Sequence, residues 1–245
     1  MVVNRGASSG GSGGRIWAGL VAFAFLIASL AMTPATAAAE DRLSQVRRIG
    51  IIAALGDRVE IWAHAWAEKD SHLGYRPIDG WGLDDFARRT AIAAIGSRFQ
   101  VTPIVCDTAN LIAPDSNPPS EDLPRLKSVV SALPGQNVDA YLIIRKRTWH
   151  LSPPYVMDGL TATRNAILGS RTVFVTIQVD LVDAKTGATL SSRFLPGRTG
   201  LSREDWADTP DQISEVQFEH LHDRINEVVT RSVTSALRSM GLSGT

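Results

Sequence analysis

Residues 173–194 constrain the fold more than any other stretch of the chain. Val173, Val175, Ile177, Val179 and Leu181 alternate with Phe174, Thr176, Gln178, Asp180 and Val182. After a polar interval, Ala188, Leu190, Ser192 and Phe194 alternate with Thr189, Ser191 and Arg193. A period of two sends successive side chains to opposite sides of an extended backbone, so both runs read as strands. The interval "DAKTG" reads as a type I turn with a bulge: the Asp183 carboxylate can accept from the turn backbone, and Gly187 can adopt a positive φ. Lys185-Thr186-Gly187 is therefore not a phosphate-gripping loop, which needs glycines ahead of the lysine and a helix behind it.

An antiparallel pair this long needs an apolar cover, and the C-terminal segment offers one. Phe218, Leu221, Ile225, Val228, Val229, Val233, Leu237 and Met240 recur at helical spacing and form one stripe. The start of this helix is placed at "TPDQ", residues 209–212, as a capping box. Upstream, Phe86, Ile92, Ile95 and Phe99 predict a helix beginning at Asp84 or Asp85. "EDLPRLKSVVSAL" predicts a short helix ending at Pro134-Gly135. "RRIGIIAAL" (47–55) and "RVEIWAHAW" (58–66) predict a hairpin across Gly56-Asp57. "FQVTPIVC" predicts an edge strand because it contains Pro103, and "DAYLIIRKR" a central one. Residues 69–82 and 148–170 read as polar connections, the second long enough to hold an irregular hairpin. The expected class is α+β: a single mixed, largely antiparallel sheet with helices packed on one face and a long C-terminal helix.

The first 39 residues stand apart. A Gly/Ser-rich stretch leads through Arg15 into an apolar run from Ile16 to Met32, followed by "TPATAAAE". Basic flank, apolar core and small-residue cleavage motif are the three parts of a secretory signal peptide. The expectation is a signal peptide at 1–39 and a single periplasmic domain at 40–245. The alternative is a domain tethered to a membrane by the same segment left uncleaved, since its apolar run sits at the short end of the roughly 17–25 residues that span a bilayer. After signal cleavage no stable membrane insertion is expected.

The chain carries equal numbers of Lys+Arg and Asp+Glu, 25 of each. That balance gives no concentrated basic face and argues against a nucleic-acid partner. Cys106 is the one cysteine, so no intramolecular disulfide forms, and its apolar setting reads as an inert thiol. His220 and His222 in "EHLHD" are two apart on a helix, whereas ligand pairs use a spacing of three or four. They read as helix-edge histidines. His64, His72 and His150 could form a site with Asp70, Asp79 or Asp84 only if the fold converged them. No G-x-S-x-G, H-E-x-x-H, paired C-x-x-C or G-x-G-x-x-G occurs. No catalytic, cofactor-binding or metal-ligating residue is assigned, and no cofactor is expected. Amphipathic aromatic residues in the two polar connections are the candidate partner contacts: Tyr75 and Trp81 in one, Trp149, His150 and Tyr155 in the other.

The order of elements, with "IGIIAAL", a helix, a strand, a helix, "DAYLIIR" and the hairpin "VDLVDAKTGATLSS" before a long final helix, resembles a known small α/β domain. It is shared by the amino-terminal part of TolB, the curli secretion protein CsgG and lipoprotein activators of penicillin-binding proteins. This chain differs from the lipoprotein members in lacking their lipid-attached cysteine, and from the channel-forming members in lacking an evident membrane-inserting hairpin. The resemblance implies a non-catalytic exported domain of a Gram-negative envelope, working by contact with an envelope protein partner. The competing readings are a periplasmic hydrolase or metal-binding protein using His72, His150 and nearby carboxylates, and a small-molecule binding domain. No oligomeric state is read from the sequence.

Overall fold

The computed structural model describes residues 43–64, 71–108, 111, 122–133, 137–152, 155–165, 169–206 and 212–244. The expected signal peptide lies outside them. The chain divides into two compact units, Met1–Gln45 and Val46–Thr245, and all elements named below belong to the second.

β9 (Arg171–Asp183) organises the sheet because it is longer than the strands that pair with it. Along one edge it pairs antiparallel with β10 (Thr189–Gly200) over nearly its full length. Along the other edge it takes two strands end to end: β5 (Ala140–Lys146) against residues 177–183 and β8 (Leu160–Asn165) against residues 171–175. β1 (Arg48–Ala54) lies parallel to β5, and β2 (Arg58–His64) lies parallel to β8. β4 (Gln100–Pro103) closes one side of the sheet beside β1, and β3 (Ser71–Pro77) closes the other beside β2.

This topology corrects the expected hairpin between β1 and β2. Both run in the direction of β5 and β8, so the chain passes Gly56, with φ 90°, without reversing. The two β-patterned runs are consecutive segments of one broken row, because β9 offers two successive pairing sites. The 69–82 connection also holds more regular structure than expected, namely β3 and a 3-10 turn at Asp79–Trp81. Pro103 does sit on an edge strand, and β5 is central and buried at all seven positions.

The mixed sheet, the helices and the long C-terminal helix make this an α+β fold, as the sequence predicts. α3 (Glu215–Ser239) crosses the sheet and buries Leu221, Ile225, Val228, Val229, Val233, Ala236 and Leu237. Its capping box is formed by Ser214 and Gln217 rather than by residues 209–212. Gly197 lets it approach closely: a Cβ there would lie 2.4 Å from Val228 Cγ1. Since Gly197 pairs with Val175, the odd-numbered residues of β9 face α3. α1 (Leu83–Ala94) lies beside α3 and against β1. It buries Leu83, Ala87 and Ala91; of the expected series Ile92 is exposed and Phe86 half-buried, while Ile95 and Phe99, just beyond the helix, are buried. α2 (Asp122–Ala132) covers part of the opposite face, where Leu126 and Val130 meet Ile52, Tyr141, Ile143 and Val182, so the helices pack on both faces of the sheet and not on one as expected.

The "DAKTG" turn forms as expected. Asp183 Oδ1 accepts from the backbone of Lys185 (3.1 Å) and Thr186 (2.6 Å), Gly187 has φ 67°, and a register shift follows between Thr189 and Ser191. Lys185 is exposed.

Candidate functional site

Between β5 and β8 the chain leaves the sheet and returns to almost the same point. Arg147 N–H donates to Thr176 O (3.0 Å), and Thr176 N–H donates to Gly159 O (2.7 Å). The Thr176 hydroxyl also donates to Arg147 O. One residue of β9 therefore holds both ends of the excursion. The excursion folds into a hairpin of β6 (Trp149–Ser152) and β7 (Tyr155–Met157), a two-stranded sheet of its own.

The base of this hairpin is a buried charged cluster. Lys146 Nζ lies 3.0 Å from Asp158 Oδ2, and Arg58 reaches the same oxygen at 3.5 Å. Glu60 Oε2 accepts from the Asp158 backbone and from Thr161 Oγ1, both at 3.2 Å. Glu60, Lys146 and Asp158 are each 5% exposed. Charges this buried persist only when paired and hydrogen-bonded; here Asp158 meets two cations and Glu60 accepts two hydrogen bonds. The lysine stem runs between two glycines: Cβ atoms added at Gly56 and Gly159 would stand 3.3 Å from its Cε and 2.8 Å from its Cβ.

A second polar network begins where the cover of α2 ends. Asp180 accepts from Arg145 Nε (3.2 Å), Gln178 Nε2 (3.0 Å) and Ser192 Oγ (2.7 Å), and Arg147 donates to Gln178 Oε1 (2.8 Å). The Arg147 guanidinium stands 5.6 Å over the ring of Phe194, a partly exposed aromatic of β10. This face of β9 is thus polar around the hairpin's attachment point.

The structure separates the residues that the sequence groups together. Trp149 and His150 lie on β6 and Tyr155 on β7, with Ser152 paired to Tyr155 and His150 to Val156. Their side chains lie outside what is described. Tyr75, 41% exposed, is linked to the base of the hairpin: the Arg58 guanidinium sits 4.3 Å over its ring and also approaches Asp158. Trp81 packs on α3. Its ring lies 4.5 Å from Phe218 and stacks at 4.5 Å on His222, four residues further along α3, while Arg76 covers the other aromatic at 3.9 Å. Burial pushes the His222 imidazole below its ordinary pKa. His220 Nδ1 meets Asp205 Oδ1 at 2.5 Å, in a shallow hollow also lined by Ser202, Glu204, Asp223 and Arg224.

Among the described residues no group of three or more His, Cys, Asp or Glu is placed to hold a metal ion. The side chains of His64, His72 and His150 lie outside the described set. Cys106 is half-buried beside the α2 cluster, and burial, with Asp107 second, raises its thiol pKa. No described helix is long and apolar enough to cross a membrane.

Sequence reasoning missed Arg58, Glu60, Lys146 and Asp158. The available signal was the run Arg145-Lys146-Arg147 closing the apolar strand "AYLII". Cations adjoining a buried strand must find acids, and Asp180 inside "VTIQVDLV" and Asp158 are two that supply them.

No protein-family model and no curated protein matches the sequence. Solved structures give low-identity likenesses. A Xanthomonas campestris protein of the DUF330 family is 11% identical over 80% of this chain and 84% of its own, with a TM-score of 0.41. The PelC dodecamer subunit of Paraburkholderia phytofirmans is 14% identical over 82% and 90%, with a TM-score of 0.33. A lipoprotein of Neisseria meningitidis is 16% identical over 74% and 97%, with a TM-score of 0.31. These are likenesses only, and none carries a functional assignment to this chain.

Proposed function

We propose that this is an exported, non-enzymatic envelope protein that acts through contact with another envelope protein, and that the β6–β7 hairpin makes the contact. The observation that carries the reading is the attachment of residues 148–158. They interrupt a strand row that would otherwise be continuous, and they are fastened at both ends to Thr176 and at the base by the buried Lys146–Asp158 pair. A separately paired segment carrying aromatic residues and fastened at its base is one way binding surfaces are displayed. Export is supported by the three-part leader in the sequence, with periplasmic residence following if it is cleaved. The sequence resemblance to TolB-like and CsgG-like domains supports action by contact. Tyr75, fastened to the hairpin base through Arg58, belongs to the same surface.

The test is a variant in which residues 148–159 are removed and Lys146 is replaced by Met. Lys146 pairs with Ile177 and Leu160 with Val175, so Arg147 would then stand opposite Thr176 in unbroken register. The reading expects a folded protein that no longer captures the envelope protein held by the wild type. Undiminished capture would overturn it.

A further inference from the structure

β10 pairs with β9 along one edge, and among the described strands none pairs with its other edge. The backbone hydrogen bonds of β9 fix which groups face that open edge. Thr176, an even-numbered residue, directs its N–H and C=O to the β5 and β8 side, whereas Arg171 O turns to the β10 side and accepts from Leu201 N–H at 3.0 Å. Residues opposite the even positions of β9 therefore form non-hydrogen-bonded pairs, and their own N–H and C=O groups point outward. In β10 these are Ser192, Phe194, Pro196, Arg198 and Gly200. All five are exposed. An open edge of this length is a template for another strand. A second copy matches it by construction: two β10 strands related by a two-fold pair antiparallel through the same groups and cover Phe194, which is 38% exposed.

The outward groups are not all available. Pro196 has no N–H to give in the middle of the edge. Arg231 reaches from α3 and donates Nη2 to Arg198 O at 2.9 Å, with its Nη1 held 3.3 Å from Glu227 Oε1. Arg193 Nη1 donates to Ser192 O at 2.7 Å. Two outward carbonyls and one outward N–H are thereby withdrawn from pairing. We propose that Pro196 and the Arg231–Arg198 contact form a guard that keeps β10 from pairing with β10 of a second copy. A proline and a charged side chain on an exposed edge are the means by which sheets resist strand addition. The guard stands across β9 from the hairpin, so it is independent of partner capture there.

Amide hydrogen exchange and sedimentation of the purified chain test this. In the wild type the outward amides of Phe194 and Arg198 should exchange about tenfold or more faster than those of Leu195 and Gly197, which face β9. The Pro196→Val/Arg231→Ala variant should show a sedimenting mass that rises with concentration toward double the wild-type value, and the Phe194 and Arg198 amides should slow as it rises. If the double variant does not fold, Arg231→Ala alone carries the test through the same two readouts, with a smaller rise. Folded variants that sediment as the wild type does would overturn the proposal. So would a rise in mass without slowing of those two amides, or wild-type Phe194 and Arg198 amides as protected as those of Leu195 and Gly197.

Discussion

Lys146 Nζ and Asp158 Oδ2 stand 3.0 Å apart with side chains 5% and 6% exposed, and the pair closes the base of a hairpin that the sheet does not need. Removing one partner leaves a buried charge without its counterion. Asp158→Asn should therefore destabilise the protein by about 3–5 kcal/mol in denaturant unfolding. Lys146→Met should cost less, because Arg58 remains 3.5 Å from Asp158. Equal effects would mean that Arg58 contributes nothing to holding the carboxylate.

The elements that were legible in the sequence share a physical reason: they depend on local pattern. The "DAKTG" turn needs only its own residues, and the α3 stripe follows from helical spacing. The row formed by β1 and β2 was not legible, because period two shows that both are strands without showing which edge each meets. The α1 stripe was missed since alanines carry weak hydrophobic signal, although Ala87 and Ala91 are buried. In the candidate site, the aromatic residues of the hairpin were visible as residue types. The ionic base was not, because Glu60, Lys146 and Asp158 come together only through long-range register.

Gly159 has φ 74°, and a Cβ there would meet the Lys146 Cβ at 2.8 Å. Gly159→Ala should combine backbone strain with a steric clash and cost about 2–4 kcal/mol. At Gly169, φ is 64° and nothing lies within 4 Å of the added Cβ, so Gly169→Ala should cost only about 1 kcal/mol. Thermal melts of the two variants measure the difference, which is the contribution of packing against the lysine stem.

Trp81 packs against Phe218 and His222 of α3. Trp81→Ala should lower stability by about 1–3 kcal/mol and leave partner capture by the remaining folded protein unchanged. Lost capture with an unaltered melting temperature would return Trp81 to the contact surface.

The Ser202 hydroxyl, followed by His220, holds the Asp205 carboxyl below its ordinary pKa, and hydrogen bonding from the Arg48 side chain does the same for Asp139. A lowered folded-state pKa means that the unfolded chain takes up protons first on acidification. The stabilisation is fully present above the ordinary carboxylate value of 3.8 and is lost as pH falls from there through the lower folded-state value. Denaturant midpoints between pH 6 and pH 3 should fall more steeply for the wild type than for Asp205→Asn. Identical slopes would show that the contacts of Asp205 do not contribute.

The most direct test of the account is photo-crosslinking in cells from positions 150 and 155 in the hairpin, with position 219 on the outer side of α3 as a control. The account predicts that both hairpin positions capture the same envelope protein, that position 219 does not, and that Asp158→Asn reduces the yield in the folded fraction. No capture from the hairpin, or equal capture from all three positions, would contradict it.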